Sequence, residues 1–113
     1  MHELSLMQRV LEILQETAHS QGFERVKVIR LEIGKLSAVD PQALRFCFDV
    51  VSNGTLAHAA VLEILETPGQ GWCPQCRCAA ELSTRFDPCP SCGGYALQVT
   101  GGDAMSVVDL EVE

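Results

Sequence analysis

Aromatic residues are scarce in this 113-residue chain, at 5% with a single Trp and a single Tyr. Single-stranded nucleic acid is gripped by stacking on such rings, so that mode of binding has no platform here. Basic residues are also few: eight Lys and Arg stand against fifteen Asp and Glu, for a formal net charge of −7. Phosphate backbones require clustered cations, which excludes nucleic acid as the natural partner. Long apolar runs are missing as well. Glu3, Arg9, Glu12 and Glu16 interrupt the first twenty residues. Neither a secretory h-region nor a membrane span is expected. No nucleophile–base motif and no phosphate-cradling glycine loop is present, which argues against an enzyme.

Cysteine is plentiful, with six residues. Four of them form two matched pairs, Cys73-Pro74-Gln75-Cys76 and Cys89-Pro90-Ser91-Cys92. Each pair is a tight turn able to aim two sulfurs at one ion, and the spacing between the pairs is that of a tetrahedral thiolate zinc site. Four thiolates leave no open position, so the expected role is structural. Gly93-Gly94 is expected to free backbone amides to turn toward sulfur. Arg77 follows the first pair where a knuckle more often has glycine, and Cys78 is a fifth thiol close to the site, able to exchange with Cys76 as ligand and read here as a bystander. Cys47 falls on the apolar face of a helical pattern and reads as a core thiol. His19 and His58 read as solvated surface residues. Thiolate ligands without a secretory signal place the protein in the reducing cytoplasm.

The remaining sequence reads as α/β (α+β). Leu4, Met7, Leu11 and Leu14 recur at helical spacing over residues 3–19, and Gly22 closes that helix. A strand is predicted over 26–36, with Ile29, Leu31 and Ile33 on one face. Asp40-Pro41 opens a second helix as N-cap and first helical residue. Leu44, Cys47, Phe48 and Val51 continue it, and Asn53-Gly54 ends it. Further strands are predicted over 60–67 and 105–113. The last must complete the sheet begun by the first two, because a one-sided apolar strand needs partners. Two helices on a three-stranded mixed sheet are therefore expected, with a zinc-ribbon module inserted. The domains are residues 1–67 plus 103–113, and the ribbon at 68–102. Pro68-Gly69 and Gly101-Gly102 read as its hinges. The chain suits a monomer or a homodimer, the latter through exchange of the last strand.

Met1-His2-Glu3 has a specific chemistry. A terminal amine, the amide nitrogen of His2 and its imidazole can chelate one ion in fused rings, with the Glu3 amide or carboxylate in a fourth position. A deprotonated amide favours square-planar Ni(II) or Cu(II). A helix starting here leaves its first amides without intrahelical acceptors.

The MHELSLM start, the Lys35–Pro41 segment (KLSAVDP) followed by Ala43-Leu44, and the two C-P-x-C pairs before a final strand resemble the HypA/HybF family. These are nickel metallochaperones of nickel–iron hydrogenase maturation. The resemblance spans the whole chain. It implies nickel held at the N-terminus by His2, with Met1, Glu3 and, more distantly, Asp40 contributing. It implies zinc on Cys73, Cys76, Cys89 and Cys92. The implied partners are the maturation GTPase HypB and the hydrogenase large-subunit precursor, and some members also serve urease. The rival readings are a zinc-ribbon adaptor without nickel and a rubredoxin-like iron carrier, since four thiolates also suit iron.

Overall fold

The computed structural model describes residues 2–113. Met1 lies outside the described residues. The chain runs α1 (His2–Gln21), β1 (Val26–Gly34), α2 (Pro41–Ser52), β2 (Val61–Thr67), β3 (Gly69–Cys73), β4 (Cys78–Leu82), β5 (Gln98–Gly101) and β6 (Met105–Val112). It divides into two compact units. One holds Met1–Leu31, Val39–Leu65 and Ser106–Glu113; the other holds Glu32–Ala38 and Glu66–Met105.

In the first unit, α1 buries Met7, Val10, Leu11 and Leu14. These recur at three- and four-residue steps, which places them on one stripe of the helix. Gly22 ends the helix in a left-handed conformation, φ 79°, and its N–H reaches Ala18 at 2.9 Å. The second helix, α2, starts as its sequence dictates. The Asp40 carboxylate accepts from the backbone N–H of Gln42 at 2.9 Å, and Pro41 occupies the first turn, where no N–H is needed. Its buried residues include Leu44 and Phe48. Burying each such apolar side chain contributes about 2 kcal/mol.

The sheet order is β2-β1-β6 in a mixed three-stranded sheet, so β1 is central although it comes first in the chain. Ile29 and Leu31 are fully buried on one face of β1. The opposite face carries Arg30. Its guanidinium donates to Glu63 on β2 at 2.7 Å, to Asp109 on β6 at 2.9 Å, and to Glu111 on β6. One cation thus ties all three strands together, and three carboxylates hold it firmly protonated. Val61 and Leu65 of β2 are exposed, while Leu62 is buried, as period-two alternation requires.

In the second unit the sheet order is β4-β3-β5. The strands β3 and β4 form an antiparallel hairpin with Gly69 opposite Leu82, Gly71 opposite Ala80 and Cys73 opposite Cys78. A bulge between Gln70 and Gly71 interrupts the β3–β5 pairing. The predicted first strand ends two residues early, because Lys35–Ser37 form a 3-10 turn that buries Leu36.

Two of the glycines read as hinges, Gly69 and Gly102, are packing contacts. Gly69 is a strand residue, and a Cβ there would sit 2.6 Å from the Leu36 side chain. Gly102, at φ 71°, leaves no room for a Cβ against the backbone of Pro68. Its carbonyl accepts from the Leu36 N–H at 2.8 Å. These positions require glycine for close backbone approach rather than for freedom.

Candidate metal centres

Cys73 ends β3 and Cys76 follows in the turn before β4, so the hairpin itself presents the first pair. The second pair stands in the loop between Leu82 and Gln98. The two turns are built alike. The Arg77 N–H bonds the Cys73 carbonyl at 2.7 Å, and the Gly93 N–H bonds the Cys89 carbonyl at 2.8 Å. The residue after each pair is left-handed, Arg77 at φ 52° and Gly93 at φ 72°. The sequence expectation of glycine at position 77 was therefore sound in its geometry, and arginine carries the strain.

The four sulfurs come together. Cys73 Sγ lies 3.8 Å from Cys92 Sγ, and Cys76 Sγ lies 3.9 Å from Cys89 Sγ. All four lie within 4.8 Å of one another, the one such cluster of potential ligands among the described residues. A tetrahedral ion with metal–sulfur bonds of about 2.3 Å sets its sulfurs about 3.8 Å apart, so the cluster fits zinc by size and donor type. All six cysteines are free thiols.

The amides that serve the sulfurs differ from those expected. The Cys76 N–H points at Cys73 Sγ at 3.4 Å. Backbone amides of Cys92 and Ser91, not those of the glycines, pull the Cys89 thiol down to about 7. Crowding by the sulfurs of Cys92 and Cys73 pushes Cys76 up instead. The Gln75 side-chain amide oxygen, Oε1, stands 3.7 Å from Cys92 Sγ, which donates to it, a contact with no signal in the sequence.

At the other candidate centre, His2 is exposed at the start of α1. Its Nε2 lies 3.5 Å from the Glu3 carboxylate, whose side chain is only 13% exposed. The Asp40 backbone N–H donates to that same carboxylate at 3.3 Å. This bond, ahead of others, holds the Glu3 carboxyl below the usual range. Asp40 thus meets Glu3 through its backbone, while its own carboxylate is spent on capping α2. Beside Glu3 runs an apolar groove of about 280 Å³, lined by Leu4, Ala43, Phe46, Cys47 and Val50. Cys47, expected in the core, is half-buried there. His19 and His58 are exposed.

Fold and site together define a small α/β protein carrying a four-thiolate metal knuckle. No helix among the described residues is long and apolar enough to cross a membrane. Residues 1–112 match the family described as hydrogenase/urease nickel incorporation, metallochaperone, hypA. The chain is 51% identical over 113 residues to hydrogenase maturation factor HypA 2 of Bradyrhizobium diazoefficiens, covering all of both chains. It is 50% identical to hydrogenase maturation factor HypA of Azotobacter chroococcum, again over the full length of both. Its fold matches the solution structure of the Ni metallochaperone HypA from Helicobacter pylori, with a TM-score of 0.72 at 22% identity, over 99% of this chain and 97% of that one. The chain belongs to the HypA family of nickel metallochaperones, proteins that carry metal rather than catalyse a reaction.

Proposed function

We propose that this chain binds Ni(II) at its N-terminus and hands it on during maturation of a nickel–iron hydrogenase. His2 is the principal ligand. The Met1 amine, the backbone amides at His2 and Glu3 and the Glu3 carboxylate complete the set. The observation that carries the reading is the Glu3 carboxylate: it accepts from the Asp40 N–H at 3.3 Å and lies 3.5 Å from the exposed His2 imidazole, its carboxyl below the usual range. A carboxylate so prepared costs little to present to a cation. Asp40 acts as positioning residue, through its N–H. Exposure of His2 suits a site that a partner must empty, since the acceptor can approach the imidazole directly.

Zinc on Cys73, Cys76, Cys89 and Cys92 is the structural ion of this reading. It holds residues 68–102 as an inserted ribbon, with residues 1–67 and 103–113 as the nickel-binding domain. The sulfur spacing supports zinc, and the scarcity of aromatic residues counts against a rubredoxin-like carrier. The partners are the maturation GTPase HypB and the hydrogenase large-subunit precursor, in the cytoplasm. The family description also names urease, which stands as a second recipient.

Calorimetric titration of Ni(II) into zinc-loaded protein tests the amine ligand. The native N-terminus should bind nickel. A version extended by an N-terminal tag, which buries the amine in a peptide bond, should bind it much more weakly. Equal affinity of the two forms would remove the amine from the site.

A further inference from the structure

The first hairpin holds a thiol that the four-sulfur site does not use. Cys78 opens β4 directly opposite Cys73, the last residue of β3. Directly opposed residues of an antiparallel pair project to the same face, with Cα atoms about 4.5–5.5 Å apart. Burial alternation agrees. On β3, Gly69, Gly71 and Cys73 are buried between exposed Gln70 and Trp72; on β4, Cys78 and Ala80 are half-buried and Leu82 buried between exposed Ala79 and Glu81. Cys78 therefore lies on the ligand's side of the hairpin. Its sulfur is not one of the four that cluster within 4.8 Å. Rotation about its Cα–Cβ bond swings the sulfur of a side chain opposite Cys73 through positions nearer to and farther from Cys73.

We propose that Cys78 is a substitute metal ligand, which takes the place of Cys73 in the zinc shell. The proposal rests on the zinc reading above. The exchange balances without any redox step. The Cys78 thiol gives up its proton as its sulfur bonds to zinc, and the departing Cys73 thiolate takes a proton as its bond breaks. Zinc keeps four thiolates before and after. Zinc has no geometric preference from d-electrons, so a shifted tetrahedron is accessible to it. The strained left-handed Arg77 lies between Cys76 and Cys78, where its relaxation would move Cys78 relative to the knuckle. The consequence is a zinc site that tolerates detachment of one ligand, and so keeps its ion where a four-cysteine site would begin to lose it.

Cobalt(II) as a zinc surrogate reads the number of sulfur ligands through its sulfur-to-metal charge-transfer bands. Native protein and Cys78→Ser should both show four sulfurs. Cys73→Ser should also show four, with Cys78 protected from alkylation by iodoacetamide when metal is bound. Cys73→Ser/Cys78→Ser should show three and bind the metal more weakly than either single variant. A three-sulfur spectrum already present in Cys73→Ser, with Cys78 freely alkylated, overturns the proposal. A native spectrum without four sulfurs overturns the zinc reading and this one together. Cys78→Ser keeps all four ligands and its fold, and gives a second measure should Cys73→Ser not fold. Its zinc should pass to a colorimetric chelator severalfold faster than from native protein. An unchanged transfer rate contradicts the role of Cys78.

Discussion

Arg77 occupies in the first knuckle the backbone position that Gly93 holds in the second. Both are left-handed, and both send their N–H to the carbonyl of the first cysteine of their pair, at 2.7 and 2.8 Å. An L-residue with a Cβ pays about 1 kcal/mol or more for that conformation, whereas glycine does not. Arg77→Gly is accordingly expected to raise stability by about 1 kcal/mol, less any loss from greater freedom of the unfolded chain. Gly93→Ala has open space for its Cβ, so it should lose a comparable amount through backbone strain alone. Denaturant unfolding of the zinc-loaded protein checks both signs.

A second prediction concerns Gly102. It combines φ 71° with backbone contact to Pro68, and its carbonyl holds Leu36 in place. Gly102→Ala should cost more than about 2 kcal/mol, because the clash is with backbone and no rotamer relieves it. Gly22→Ala, equally left-handed but with open space around it, should cost only about 1 kcal/mol. Thermal melts of the two variants would separate packing from conformation.

That contrast also shows where the sequence could be read and where it could not. The helices, and the strands around Ile29 and Leu62, follow from apolar period and from signals such as Asp40-Pro41. The two cysteine pairs announced their turns by spacing alone. The role of Gly69 and Gly102 stayed hidden, since flexible glycine and tightly packed glycine are spelled alike. The pairing of Arg30 with Glu63, Asp109 and Glu111 was hidden too. Strand order is a long-range property, and no local pattern states that β1 lies between β2 and β6. At the N-terminus the residue types suggested chelation, but the Asp40 N–H that bonds the Glu3 carboxylate is a backbone group and leaves no mark in composition.

Arg30→Met should destabilise the first unit by leaving Glu63, Asp109 and Glu111 facing one another without their cation. The loss should be largest at low ionic strength and shrink as salt screens the carboxylates. Urea unfolding at two salt concentrations measures it, and a loss indifferent to salt would contradict the ion-pair account.

Acid should act on Glu3 in a defined direction. Its carboxyl lies below the usual range, so its contribution to stability is complete above the unfolded-state value. That contribution is lost as pH falls through the lowered folded value. Asp87, held low chiefly by the Thr84 hydroxyl and the Ser83 N–H, should behave alike in the loop it closes. Glu3→Gln should therefore flatten the acid limb of the stability profile in the lowered-carboxylate window. NMR titration of the Glu3 side chain gives the direct value.

The central claim is that transferable nickel sits on His2 while the four cysteines hold a separate ion. The deciding measurement is metal content and Ni(II) calorimetry on His2→Ala with a native N-terminus. The account predicts one zinc per chain retained and tight nickel binding lost. Nickel affinity equal to that of the unmodified protein would contradict it.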